Sequence, residues 1–86
     1  PKHATAFYSR GRAYEDLNKL QDALEDFSLS IGLNPELANT YGSRAVLYAR
    51  MGKDDKAQID MERAIELGAN AVFLRTTIQE IIRSRH

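Results

Sequence analysis

Residues 4–37, ATAFYSRGRAYEDLNKLQDALEDFSLSIGLNPEL, and residues 38–69, ANTYGSRAVLYARMGKDDKAQIDMERAIELGA, are two versions of one passage. At a period of 34 residues, with no gap, Phe7 falls on Tyr41, Arg10 on Arg44, Tyr14 on Tyr48 and Leu17 on Met51. The register continues through Lys19 and Lys53, Ala23 and Ala57, Asp26 and Asp60, Phe27 and Met61, Ile31 and Ile65, and Leu33 and Leu67. A fixed period of this length is the mark of stacked helix-turn-helix units, each of which buries its apolar face against the next. Such a stack offers a surface rather than an enclosed reaction chamber.

Helical spacing fills each unit. Ala6, Arg10, Ala13, Tyr14 and Leu17 fall on one face of a first helix, read here as its inward stripe. Asn18 follows, and its counterpart is Gly52; both tolerate the left-handed backbone that closes a helix. A second helix carries Leu20, Ala23, Leu24, Phe27, Ile31 and Leu33. Asn34-Pro35 ends it, because the residue before proline is pushed out of the helical region, and Pro35 is placed to open the next helix. The third helix is expected over about 37–51 and the fourth over about 54–67, with Asp54 as its N-cap and Gly68 closing it. A fifth begins at its cap, Asn70, with Leu74, Ile78, Ile81 and Ile82 as its stripe. Moved back by the period, these reach Thr40, Arg44, Leu47 and Tyr48, so the fifth helix is half a third unit, laid over the fourth helix as a lid. The expected organisation of residues 1–86 is one all-α domain: repeat 1 at about 4–37, repeat 2 at about 38–69 and a capping helix at about 70–84.

These residues resemble the tetratricopeptide repeat. The first copy supplies Phe7, Gly11, Tyr14, Ala23, Phe27, Ser30 and Pro35 at the family's positions, and the second Tyr41, Ala45, Tyr48, Ala57, Met61 and Ala64. Ala69 stands where the family has proline, and Met61 where an aromatic is commoner. The resemblance implies an α-α superhelix with a concave groove lined by the first helix of each repeat. Its lining would be Thr5, Tyr8, Arg12 and Glu15, then Asn39, Gly42, Val46 and Ala49, then Phe73, Thr76, Glu80 and Arg83. Tyr8, Arg12, Glu15, Asn39, Val46, Phe73 and Thr76 are therefore the candidate partner-binding residues. A common subtype of the family carries an Arg and an Asp in each repeat. Arg10, Arg44, Asp26 and Asp60 fit it and are expected to form structural ion pairs, with an anion-binding groove arginine as the alternative. The best-known groove, in cochaperones of chaperones, clamps a peptide's terminal carboxylates with Lys and Asn. Those positions here hold Tyr8, Arg12, Ser43, Phe73 and Thr77, so that clamp is not expected.

Composition narrows the function classes. Net charge is +0, against a nucleic-acid or anionic-membrane role built on long-range attraction. No apolar run is long enough for a transmembrane helix. Charge is unevenly spread: Glu15, Asp16, Asp22, Glu25, Asp26 and Glu36 crowd the first repeat, whereas Arg75, Arg83 and Arg85 mark the end, a pattern open to head-to-tail association. No cysteine is present, which excludes disulfides and leaves the compartment unassigned, the cytoplasm being the favoured setting. The chain begins at Pro1 without an initiator Met, so a processed or excised piece stays open. His3 and His86 are terminal residues without a ligand cluster, Gly42-Ser43-Arg44-Ala45 lacks a nucleophile elbow's context, and Asp54-Asp55 lacks the spaced oxygens of a Ca²⁺ loop. The chain reads as a non-enzyme without cofactor or metal. Its expected role is as a scaffold or adaptor that binds a protein or peptide. A homo-oligomerisation module and a fragment of a longer repeat array are the alternatives.

Overall fold

Five α-helices follow one another among the described residues: α1 Lys2–Asp16, α2 Leu20–Leu33, α3 Ala38–Arg50, α4 Asp54–Glu66 and α5 Ala71–Ser84. The computed structural model describes residues 2–85; His86 lies outside the described residues, and His3 is exposed. No strand occurs among the described residues, and the architecture is an all-α repeat of helix-turn-helix units, as the resemblance implied. α1 pairs with α2 and α3 with α4, while α5 packs on both α3 and α4.

Local chemistry sets the hairpins. After α1 the chain turns through Asn18 at φ 59°, after α3 through Gly52 at φ 78°, and after α4 through Gly68 at φ 105°. Only in that left-handed conformation can the next N–H reach back to the helix. Lys19 N–H donates to the Tyr14 carbonyl at 2.9 Å, Lys53 to Tyr48 at 2.8 Å and Ala69 to Ala64 at 2.9 Å. α2 ends differently. Asn34 is extended ahead of proline, and its side-chain oxygen accepts from the Glu36 N–H at 3.2 Å. Pro35 consequently lies in a turn and does not open α3, which starts at Ala38. Asp54 is likewise not an N-cap. Lys53 holds that position, and Asp54, the first helical residue, accepts a hydrogen bond from Arg85. Asn70 does cap α5, its side chain accepting from the Phe73 N–H at 2.9 Å.

Two clusters form the core. Ala23, Phe27 and Leu47 join α2 to α3, with Tyr8, Tyr14 and Met51 packed against them. Ala45, Ala57, Met61, Leu74 and Ile78 join α3, α4 and α5. The inward face of α1 is not the stripe expected for it. Ala4 and Gly11 are buried and Phe7 and Tyr14 half-buried, whereas Ala6, Arg10, Ala13 and Leu17 are exposed. Gly11 leaves room for the Phe27 ring: a Cβ built there would lie 2.6 Å from its Cε1, so one of the two would have to shift.

The charged pairs follow the period. Arg10 donates from Nε to Asp26 Oδ2 at 2.7 Å and from Nη2 to Oδ1 at 2.8 Å. Arg44 donates likewise to Asp60 at 2.6 and 3.0 Å. Each guanidinium also stacks between two aromatic rings of its own helix, Phe7 and Tyr14 around Arg10, Tyr41 and Tyr48 around Arg44. For Arg44, burial would lower the pKa, but the hydrogen bonds and the charge of Asp60 outweigh it, and the net shift is upward.

Candidate functional site

α1, α3 and α5 together wall an open concavity of about 510 Å³. The helical register decides which side chains reach it. From α1 come Tyr8, Arg12, Glu15 and Asp16, one turn apart. α3 contributes Asn39, Gly42, Ser43, Val46 and Arg50. α5 and its approach contribute Asn70, Phe73, Leu74 and Thr77.

Arg12 Nη1 donates to the Tyr8 hydroxyl at 2.8 Å and its guanidinium lies 5.8 Å from the ring centroid. The Tyr8 hydrogen bond, with the charge interaction with Tyr8 second, raises the Arg12 pKa. The Tyr8 ring in turn leans on the buried Phe27 at 6.0 Å, which orients the pair from behind. Arg50 bonds Glu15 at 3.0 Å and Asn18 at 3.3 Å, tying the end of α3 to the end of α1. Phe73 stands 63% exposed on the first turn of α5. The Asn70 cap fixes the turn from which it projects.

Of the sequence-derived groove residues, Tyr8, Arg12, Glu15, Asn39, Gly42, Val46 and Phe73 share this concavity. Thr76 does not, and Thr77 takes its place. Thr76 corresponds to Gly42, on the side of α3 that meets Leu74 of the following helix; no described helix follows α5, so that side is exposed. Thr5, Glu80 and Arg83 are exposed outside the lining, and Ala49 is buried beneath it. Asp16, Arg50, Asn70 and Leu74 were not anticipated. By sequence Asn70 is a helix cap and Leu74 a core residue; the structure places both in the lining as well. The Arg50–Glu15 bridge crosses two repeats, where the period itself pairs nothing.

No buried side-chain polar atom lacks a partner among the described residues. Nor do His, Asp and Glu residues gather there in a group able to hold a metal. Among the described residues no helix is long and apolar enough to cross a membrane. The site is a surface of hydrogen-bonding groups with one open ring, the cations Arg12 and Arg50, and the acids Glu15 and Asp16, Arg50 being paired with Glu15.

The tetratricopeptide-repeat family model matches residues 4–37 and 38–70. The chain belongs to the tetratricopeptide-repeat family. It is 33% identical over 67 residues to the UDP-N-acetylglucosamine–peptide N-acetylglucosaminyltransferase of Giardia intestinalis, covering 78% of this chain and 4% of that protein. It is 25% identical over 85 residues to the heat shock protein STI1 of Saccharomyces cerevisiae, covering 99% of this chain and 14% of that protein. The chain thus spans a small fraction of each relative, and the match to the transferase falls in its repeat region. These repeats are non-catalytic, and the chain is a protein–protein interaction module of that family.

Proposed function

We propose that the concavity between α1, α3 and α5 binds a short segment of a partner protein, and that this makes the chain an adaptor. The supporting observation is the exposed Phe73 ring across the same concavity from the Tyr8–Arg12 pair. Arg12 uses Nη1 on Tyr8, and its other donors have no partner among the described residues. An aromatic anchor and a donor fork with open positions are the groups that concentrate binding energy at protein interfaces. The floor between them is low and partly apolar, formed by Gly42, Val46 and Leu74. A fitting segment presents an apolar side chain to Phe73 and Val46, and carboxylate or carbonyl oxygens to Arg12. Nothing in this chemistry calls for a nucleic acid, a membrane or a cofactor.

Selection of phage-displayed random peptides on the whole chain tests the reading. Enriched peptides should pair an aromatic or aliphatic residue with a neighbouring acid, and Arg12→Ala with Phe73→Ala should lose them. Peptides that hold equally well to the double variant would place binding elsewhere.

A further inference from the structure

The last turn of α1 carries two acids, Glu15 and Asp16, and no base. That arrangement is unfavourable, because the carbonyl end of a helix repels negative charge. Glu15 is compensated: Arg50 Nη1 donates to it at 3.0 Å, and its side chain is only 14% exposed. Asp16 is not compensated. It is exposed and has neither a hydrogen bond nor a salt bridge among the described residues. Repeat 2 has Arg50 at the matching position, where the sign of the charge suits the helix end. Asp16 therefore adds nothing to the stability of α1, yet it stands in the lining of the concavity.

The three walls run in the same direction. Arg50, the last residue of α3, bonds Glu15 at the end of α1. The beginnings of α3 and α5 meet where a Cβ on Gly42 would lie 3.4 Å from Leu74, and the residue after α5, Arg85, bonds Asp54 just beyond the end of α3. Phe73, in the first turn of α5, and Asp16, the last residue of α1, thus mark opposite ends of the concavity, with Arg12 between them. Arg12 precedes Asp16 by one turn, about 6 Å along the axis. Both Nη atoms of Arg50 are used, one on Glu15 and one on Asn18. Of the charged residues in the lining, Arg12 and Asp16 are left for a ligand.

We infer that Asp16 is a specificity-determining residue of the concavity, and that the partner segment offers it a basic side chain. That base lies on the far side of the segment's acid from its apolar anchor. The assignment rests on the concavity being a peptide site, and it fixes the signs and order of the charges there. The partner segment reads apolar residue, acid, base, in either chain direction. The span of about 6 Å from Arg12 to Asp16 is two residues of extended chain or one turn of helix. Segments with several acids and no base are rejected, because a second carboxylate would face Asp16. An exposed ion pair adds little affinity, so the role of Asp16 is selection rather than strength.

The test takes phage-displayed random peptides enriched on the whole chain and keeps those lost on the Arg12→Ala, Phe73→Ala double variant. These should carry a lysine or arginine close to the acid. A synthetic copy of the most enriched one is then titrated at low salt against the chain, Asp16→Asn and Asp16→Lys. Asp16→Asn should weaken binding roughly threefold and Asp16→Lys about tenfold. Changing the peptide's base to glutamate should invert the preference, so that Asp16→Lys binds tighter than the parent chain. Asp16→Asn should leave the melting midpoint unchanged or raise it, since it removes a charge that the helix end disfavours. A midpoint lowered by more than about 3 °C would make Asp16 structural and overturn the inference. Peptides that depend on Arg12 and Phe73 but carry no base, or that bind Asp16→Lys as tightly as the parent chain, overturn it and leave the peptide site standing. Peptides indifferent to the double variant remove the peptide site, and the inference with it.

Discussion

Repeat 1 and repeat 2 carry the same guanidinium, carboxylate and flanking aromatic rings, yet one copy is open and the other enclosed. Asp26 and Asp60 are equally buried, but the arginine side chains are 58% and 19% exposed. The difference lies in the neighbours: Arg44 has α2 beside it through Ser28, and Arg10 has no such helix among the described residues. In a stack, sequence writes the same interaction into each unit, and position in the stack decides what it contributes.

Removing α5 should have the largest effect on this contrast. A chain ending at Gly68 would strip from repeat 2 the cover supplied by Leu74 and Ile78, both nearly fully buried. Each is worth roughly 1.5–3 kcal/mol, and Ile81 and Ile82 add to the loss. The total approaches the whole stability of a small domain, about 5 kcal/mol at the low end. Circular dichroism should show a chain largely unfolded at room temperature. An unchanged melting temperature would mean that repeat 2 does not depend on its neighbour.

Next in size is the pair of aspartates. Asp60→Ala leaves the largely enclosed Arg44 without its partner and should cost about 3 kcal/mol by chemical denaturation. Asp26→Ala should cost clearly less, because Arg10 can turn to water. Equal losses would break the comparison, since they would show that enclosure of the arginine is irrelevant.

The glycines sharpen it further, with opposite signs. Gly11 faces the Phe27 ring at a distance no Cβ tolerates, and repeat 2 answers with Ala45 and the slimmer Met61. Gly11→Ala should therefore destabilise by about 1–3 kcal/mol, despite the better helix propensity of alanine. Adding Phe27→Met should recover part of the loss, because it reproduces the pairing in repeat 2. At Gly42 a Cβ would meet Leu74 at 3.4 Å, an ordinary contact. Gly42→Ala should stabilise by up to about 1 kcal/mol. Thermal melts of the three variants separate these outcomes.

What could be read from sequence follows the same division. The period placed five helices, and Asn18 opposite Gly52 marked the turns, because a left-handed closure admits few residue types. Periodicity compares a unit with its copies and carries no record of what stands beside each copy. That is why the stripe Ala6, Arg10, Ala13, Tyr14 and Leu17 reads as inward by sequence, although on α1 Tyr14 is half-buried and the other four are exposed, whereas their counterparts on α3 are covered. The same extension puts Thr76 in the concavity, whereas it stands outside the lining for the same reason at the other end of the stack. Asp54 and Pro35 missed for a local reason: caps shift by one to three residues without altering the periodic pattern. Arg50 bridging to Glu15 depends on the angle between units, which no spacing encodes.

The smallest expected effect on stability is at Arg12, where the two repeats differ most openly. Tyr8 and Arg12 of repeat 1 correspond to Gly42 and Val46 of repeat 2, so one unit builds the polar wall of the concavity and the other its floor. Arg12 is exposed, and its one hydrogen bond goes to a side chain of its own helix. Such contacts contribute on the order of 0.5 kcal/mol, which for a domain of this size is about 2–4 °C. Arg12→Ala should stay within that range, whereas a selected peptide bearing an apolar residue beside an acid should bind it at least tenfold more weakly. Val46→Ala, the matching position of repeat 2, should weaken the same peptide less, since the floor supplies area and no donor. If Arg12→Ala unfolds the chain while the folded fraction keeps its affinity, Arg12 belongs to the scaffold. The wall and the floor would then have exchanged roles.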